Sequence, residues 1–145
     1  MPTIFIASDH GGFNLKKAVR EHLTETGVTV TDLGPDNTNS CDYPEYAQKL
    51  CRKVLDTPDS LGILICGTGI GMDITANHIS GIRSALCHNE FTGRMARAHN
   101  NANVLCMGER VLGQGVALAI VDAFLSTEFE GGRHARRVGL IENNG

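Results

Sequence analysis

Apolar residues along this chain follow two spacings that alternate from one end to the other. Short apolar runs predict five strands, and the segments between them repeat apolar residues at helical spacing and predict five helices. The predicted strands cover residues 4–7, 28–33, 61–65, 82–87 and 104–107, and the predicted helices cover 13–26, 43–55, 71–78, 89–99 and 113–124. A final basic segment, 131–141, would place Arg133 and Arg137 on one face of a further helix.

Strands that alternate with helices in this way are typical of βαβ units, which build a parallel sheet. The predicted fold is therefore α/β: a Rossmann-like, three-layer α/β/α sandwich around a five-stranded parallel sheet. The length of 145 residues is that of one domain, so residues 1–145 are expected to form a single unit.

The residues that follow each predicted strand are the first candidates for a functional site. In open parallel sheets, ligands bind in the crevice beyond the carboxyl ends of the strands. The segments at those positions are Ser8–Gly12, Cys66–Gly71, Cys87–His88 and Gly108–Arg110.

The segment Cys66–Gly71 has alternating glycines between a buried strand and a helix. Such a loop lets backbone N–H groups approach an anion, although it matches neither a Walker loop nor the dinucleotide fingerprint. A thiol beside a helix N-terminus has its thiolate form favoured. Cys66 is therefore either a reactive thiol or a small buried residue at the end of a strand.

Three further groups have both a chemical and a purely structural interpretation. Asp9 and His10 could bind hydroxyls or a phosphate, or Asp9 could simply cap a helix. His99 could be a general acid or base, or a favourable charge at a helix C-terminus. Arg133 and Arg137 could grip one phosphate, or belong to a solvated basic tail.

Composition narrows the classes of partner. The net charge of -3 gives no basic field for nucleic acid, and the 5% aromatic content offers few stacking platforms for single strands. No apolar run approaches the about 18 residues of a membrane span, and the first residues carry no basic region of a secretory signal. We expect no nucleic-acid partner and no membrane association.

The positions of the cysteines and histidines indicate the redox state of the thiols and whether the chain has a metal site. The five cysteines are odd in number and scattered, which predicts free thiols in a reducing cytoplasm. Four of them, Cys41, Cys51, Cys87 and Cys106, are expected to serve packing alone. The six histidines show no zinc-site spacing, so we predict no metal. No G-x-S-x-G elbow supports a serine hydrolase.

Taken together, eight segments closely resemble the ribose-5-phosphate isomerase type B family, in order over nearly the whole chain. The same segments resemble the wider family that includes galactose-6-phosphate and allose-6-phosphate isomerases. They are Ser8–Phe13, Asp42–Pro44, Gly62–Gly71, Ala76–Asn77, Gly81–Arg83, His99–Leu105, Gly108–Arg110 and Glu130–His134.

The resemblance implies an aldose-ketose isomerase of the pentose phosphate pathway. It would interconvert ribose 5-phosphate and ribulose 5-phosphate through an enediolate, with no cofactor and no metal. Cys66 would be the base that moves the proton between C2 and C1, with Thr68 beside it as a polar assistant. One branch of the family carries a Glu base where this chain has Met72, which cannot take a proton.

The resemblance also implies the remaining site residues. His99 would open the furanose ring, Asp9 and Asn100 would hold hydroxyls, and His10 and several arginines would surround the phosphate. The full set of substrate-binding positions is Asp9, His10, Tyr43, Gly67, Gly69, Ile70, Gly71, Asn100, Arg110, Arg133, His134 and Arg137. The site would lie at the subunit interface of a homodimer or homotetramer, with the C-terminal helix packed on the partner.

Two alternatives stay open. A hexose 6-phosphate isomerase would need a pocket only about a carbon longer, which a sequence does not reveal. A non-catalytic sugar-phosphate-binding module would use the glycine loop and the arginines without turnover. Such a module would have no need of the Cys66 thiol, so replacing this residue separates an enzyme from a binder.

Overall fold

The computed structural model describes residues 2–143 and contains each predicted strand and helix. The strands are β1 (Thr3–Ser8), β2 (Val30–Asp32), β3 (Ser60–Cys66), β4 (Ser84–Leu86) and β5 (Val104–Gly108). The helices are α1 (Phe13–Glu25), α2 (Tyr43–Asp56), α3 (Ile70–Asn77), α4 (Glu90–Ala98), α5 (Gln114–Ser126) and α6 (Arg133–Glu142). A short 3-10 turn, His10–Gly12, leads into α1.

All five strands are parallel, in the spatial order β2-β1-β3-β5-β4. The central strand β3 is buried along all seven residues, as its continuous apolar run predicts. The chain passes from β1 to β2 on one side and then returns to β3 on the other. The crevice where the strand order reverses therefore opens between the carboxyl ends of β1 and β3.

Two apolar layers cover the faces of the sheet, which confirms the predicted three-layer sandwich. On one face α1, α4 and α5 pack on the sheet, and on the other face α2 and α3 do so. The first layer buries Leu15, Val19, Leu23, Ala96, Ala117, Ile120, Val121 and Phe124. The second buries Ala47, Leu50, Cys51, Val54, Met72 and Ala76. Since α1 and α3 lie on opposite faces, the chain continues from β1 and from β3 toward opposite sides of the sheet.

The two edge strands are shorter than predicted. β2 was expected over 28–33 and β4 over 82–87, but each pairs along only three residues. Val28 donates its N–H to Leu23 O at the end of α1 (2.8 Å), and Ile82 donates to Ile79 O in a turn (3.1 Å). These apolar residues pack against the core while their N–H groups serve turns, so the apolar pattern extends beyond the hydrogen-bonded ladder.

Helix α6 confirms the helical interpretation of segment 131–141 and packs at the edge where the strands begin. Gly131 and Gly132 precede it with φ of +70° and +57°, a conformation that L side chains rarely adopt. Arg83 Nη1, just before β4, lies 2.5 Å from Glu142 Oε1. Leu140 and Ile141 remain 60% and 57% exposed. Among residues 2–143, none of the helices is long and apolar enough to cross a membrane.

Candidate active site

The Cys66 side chain lies at the carboxyl end of β3, at the head of the glycine loop. It is 5% exposed, and Gly69 donates its N–H to Sγ at 3.1 Å. Gly69 adopts φ +81° and forms the N-cap of α3, so the sulfur lies beside the positive end of this helix. The Gly69 N–H and the N-terminus of α3 therefore both direct positive partial charge at the sulfur.

Two backbone N–H groups of the glycine loop donate to side chains of the same loop, and three others are open. The N–H of Gly69 serves Cys66, and the N–H of Ile70 donates to Thr68 Oγ1 at 3.2 Å. The N–H groups of Gly67, Thr68 and Gly71 make no hydrogen bond within residues 2–143. These three groups are the donors that the loop can offer to an oxyanion next to the sulfur.

A close approach between Gly108, at the end of β5, and Thr68 holds the glycine loop in place. A Cβ at Gly108 would lie 2.5 Å from the carbonyl carbon and oxygen of Thr68. We expect Gly108→Ala to displace this loop and to lower the free energy of unfolding by about 1–3 kcal/mol. Chemical denaturation measures the loss.

The matched control is Gly115→Ala, because a Cβ at Gly115 in α5 would meet nothing within 4 Å. This variant should gain up to about 1 kcal/mol from helix propensity. Equal stability of the two alanine variants would contradict the close approach at Gly108.

The loop after β1 lies directly against the glycine loop. A Cβ on Gly11 would be 3.3 Å from Gly67 N. Asp9 is buried, and its Oδ1 accepts the N–H of Gly12 at 3.1 Å, so the capping interpretation of Asp9 is correct for this oxygen. His10 is exposed, and its Nδ1 accepts the N–H of Cys41 at 3.2 Å. This bond places the imidazole proton on Nε2, where it can be donated to an anion.

Tyr43 and Arg110 both lie close to the glycine loop. A Cβ on Gly71 would lie 2.5 Å from Tyr43 Cε1, and one on Gly67 would lie 3.2 Å from Arg110 Nη1. We call Asp9, His10, Tyr43, Arg110 and the segment Cys66–Gly71 the carboxyl-edge group. It combines a thiol, open amides and two cationic or potentially cationic side chains around one crevice.

The other predicted residues meet at the opposite edge of the sheet. We call His99, Asn100, Arg133, His134 and Arg137 the amino-edge group. The rings of His99, which caps α4, and His134, in α6, stack with their centroids 4.1 Å apart and their planes at 9°. Glu130 Oε1 lies 3.8 Å from His99 Nε2 and 3.5 Å from His134 Nε2. Arg133 and Arg137 are exposed.

The charge environment of His134 is predominantly cationic. Burial lowers the pKa of this imidazole, His99 and Arg133 lower it further, and Glu130 acts in the opposite direction. The neutral form of His134 is therefore favoured, which removes like-charge repulsion from the stack with His99.

One chain does not bring Cys66 and His99 together. Cys66 ends β3 and pairs with Gly108 at the end of β5, whereas His99 and Asn100 precede the start of β5. The five residues of β5 span about 13 Å at about 3.3 Å per residue. The carboxyl-edge and amino-edge groups of one chain therefore lie at opposite ends of its strands.

Three of the other four cysteines, Cys51, Cys87 and Cys106, are buried in the core. Burial raises the pKa of Cys51 to about 12 and that of Cys87 to about 11, and it raises the pKa of Cys106 well above its usual value. These three thiols are held in the neutral form, as the packing prediction expects. Cys41 is half-buried and contacts His10.

Two acidic residues take positions that the sequence analysis did not assign. Glu109 Oε1 accepts the N–H of Leu15 at 2.6 Å, which joins the end of β5 to the start of α1. Glu130 faces the histidine stack. Only its spacing of four residues from His134, across two glycines, could have indicated this position, because the pairing with His99 depends on the fold.

His99, Glu130 and His134 also form a group of three possible metal ligands in the described part of the chain. The two histidine rings are almost parallel at stacking distance, so their in-plane lone pairs lie in separate, nearly parallel planes and do not converge on one ion. The geometry as it stands does not match zinc coordination, in which each N–Zn distance is about 2.0–2.1 Å.

Comparison with known proteins identifies the family. The family model described as ribose/galactose isomerase matches residues 4–141. Ribose-5-phosphate isomerase B of Escherichia coli is 44% identical over 141 residues, which cover 97% of this chain and 95% of that protein. A ribose 5-phosphate isomerase structure from Thermotoga maritima is 48% identical, with a TM-score of 0.95 and 98% of each chain covered.

A third relative has been solved with a ligand. The structure of ribose-5-phosphate isomerase B from Mycoplasma genitalium with bound ribulose-5-phosphate is 45% identical, with a TM-score of 0.93 and coverage of 98% of this chain and 95% of that chain. The matches extend over nearly the full length of both partners, so the collinear motifs and the fold agree. This chain therefore belongs to the ribose/galactose isomerase family.

Proposed function

We propose that this protein is a ribose-5-phosphate isomerase that interconverts ribose 5-phosphate and ribulose 5-phosphate. The observation that carries the proposal is a thiol at the head of a loop with three open amide donors, in a chain 44–48% identical to enzymes with this name. A relative that holds ribulose-5-phosphate at 45% identity supports the pentose phosphate as substrate. The pentose phosphate pathway is the proposed metabolic context.

The chemistry begins with the closed sugar and ends with the ketose. His99 opens the furanose by moving the anomeric hydroxyl proton to the ring oxygen. The Cys66 thiolate then takes the proton from C2, and the carbonyl oxygen at C1 becomes the enediolate oxygen. Cys66 returns the proton to C1 while the proton on O2 moves to O1, which leaves a ketone at C2.

The glycine loop supplies the electrostatic part of this step. Negative charge develops on oxygen beside Cys66, where the N–H groups of Gly67, Thr68 and Gly71 are open. Thr68 Oγ1 accepts the N–H of Ile70, so its own O–H is available to donate to a substrate oxygen. Asp9 and Asn100 are proposed to hold the sugar hydroxyls, and we propose that the reaction needs no metal or cofactor.

We propose that two chains complete each site, in a homodimer or a homotetramer. The amino-edge group of one chain would face the carboxyl-edge group of its partner and so bring His99 to Cys66. Arg133, His134 and Arg137 would then join His10 and Arg110 around the phosphate. Support comes from the separation of the two groups in one chain. Exposed apolar side chains on α3 and α6 also support an interface between subunits. They are Ile70, Ile74, Leu140 and Ile141.

The five free cysteines support the reducing cytoplasm as the proposed location. Disulfides persist in oxidising compartments, whereas this chain keeps each thiol unpaired. The catalytic proposal depends on that state, because an oxidised Cys66 would no longer act as a base.

The test is turnover of three sugar phosphates by the purified protein in excess chelator. We expect rapid conversion of ribose 5-phosphate and much slower conversion of allose 6-phosphate and galactose 6-phosphate. Preference for either hexose would keep the mechanism and overturn the substrate. Binding of all three without turnover would identify a binding module instead, and loss of activity in chelator would overturn the metal-free mechanism.

A further inference from the structure

We propose that Glu130 is a positioning residue for ring opening, acting through the stacked rings of His99 and His134. This inference rests on the proposed function, in which His99 opens the sugar ring. In this role Glu130, in the turn before α6, orients the His99 ring and determines which ring nitrogen of His99 carries the proton.

The backbone fixes Glu130 next to His99. The N–H of Glu130 donates to Ala98 O at 3.0 Å, and Ala98 is the residue directly before His99. Gly131 and Gly132 then turn the chain in a positive-φ conformation, and His134 donates its N–H to Gly131 O at 3.0 Å. The segment 130–134 is thus built onto the end of α4.

The His99 and His134 rings stack beside this turn, and the Glu130 carboxylate lies next to both rings. The side chain of His134 is 10% exposed and forms the buried side of the stack, whereas the side chain of His99 is 40% exposed. The Glu130 carboxylate lies at the Nε2 edge of both rings, 3.8 Å and 3.5 Å away. The stack holds the plane of the His99 ring, and the carboxylate distinguishes its two nitrogens.

The position of the proton on the His99 ring determines which nitrogen can act as the base in ring opening. A carboxylate facing Nε2 favours the tautomer with its proton on Nε2, which leaves the Nδ1 lone pair as the base. In ring opening, this nitrogen takes the proton from the anomeric hydroxyl. The bond between C1 and the ring oxygen then breaks, and the same proton passes to the ring oxygen. Glu130 touches no reacting atom, so its part in this step is to orient His99.

The experiment separates ring opening from proton transfer at carbon. Conversion of ribose 5-phosphate requires both steps. Ribulose 5-phosphate cannot form a furanose because its C5 hydroxyl is phosphorylated, so deuterium incorporation at its C1 in D₂O requires only the Cys66 step. The turnover of ribose 5-phosphate is measured by enzyme assay, and the rate of deuterium incorporation into ribulose 5-phosphate is measured by NMR. Both rates are determined for the wild type, Glu130→Gln, Glu130→Asp and His99→Asn.

We expect Glu130→Gln to lower the turnover of ribose 5-phosphate roughly 10- to 100-fold, which is less than the about 10²- to 10⁴-fold contribution of a general acid or base itself. Deuterium incorporation into ribulose 5-phosphate should stay within about twofold of the wild type, because Cys66 and its loop are untouched. Glu130→Asp, which keeps the charge, should recover part of the turnover. His99→Asn should show the same separation more strongly. Glu128→Gln, an exposed acid two residues earlier, is the matched control and should change neither rate.

The outcomes that would overturn the inference are distinct. An equal loss of both rates in Glu130→Gln, with His99→Asn separating them, would make Glu130 a structural residue and leave the proposed function intact. If His99→Asn also fails to separate the rates, the proposed role of His99 is wrong. Inhibition by Zn²⁺ in the wild type but not in Glu130→Gln, together with activation by chelator, would make the three side chains a metal site instead.

Discussion

Cys66→Ala is expected to lower isomerase turnover by roughly 10²- to 10⁴-fold in both directions, the range that removal of a general base produces. The sulfur is the proposed acceptor of the C2 proton, and the Gly69 N–H at 3.1 Å stabilises its charge. Alanine retains the loop and its open amides but has no group that can take a proton. Coupled assays with ribose 5-phosphate and ribulose 5-phosphate measure the effect.

The control for this variant is Cys87→Ala. Cys87 is 1% exposed, and burial raises its pKa to about 11, so this thiol serves packing. Cys87→Ala should lose some stability and retain turnover. If Cys66→Ala is folded by circular dichroism and keeps more than about a tenth of wild-type turnover, Cys66 is not the base.

The second prediction is recovery of activity when two inactive variants are mixed. Cys66→Ala and His99→Asn should each be nearly inactive alone, because each lacks one half of every site. In a mixed dimer, one interface site combines the intact Cys66 of one chain with the intact His99 of the other. Random exchange of subunits should therefore restore about a quarter of the wild-type activity, as expected for two equivalent sites in a two-fold dimer.

Subunits are mixed by co-expression, or by mild denaturation and refolding of the two variants together. A double variant that carries both substitutions in one chain, mixed with the wild type, serves as the control for exchange. No recovery in the mixture, with exchange verified by native mass spectrometry, would mean that each chain uses its own Cys66 and His99. Such a result would contradict the site shared between subunits.

The sequence was most informative where local chemistry determines the structure. The apolar run of β3 and the glycines after it predicted a buried central strand and a loop with accessible amides. The basic segment 131–141 predicted a further helix, and α6 forms there from Arg133. The helical capping of Asp9 followed from its position after β1. Each of these features depends on residues within a few positions of one another.

Features that depend on distant residues were not accessible in the same way. The position of β5 between β3 and β4 places His99 at the edge opposite Cys66, and a pattern of runs does not specify strand order. The shortening of β2 and β4 arises where turns use N–H groups that the apolar pattern assigns to strands. Glu130 meets His99 only because the turn before α6 is hydrogen-bonded to the end of α4, which spacing along the chain does not reveal.

The separation of Cys66 from His99 by the length of β5 also bears on how activity depends on protein concentration. A chain that carries only one half of each site contributes nothing until it meets another. At concentrations below the dissociation constant of the dimer, activity per chain should fall in proportion to dilution, so total activity rises with the square of the chain concentration. A newly synthesised chain would then gain its catalytic function in a bimolecular step that follows folding.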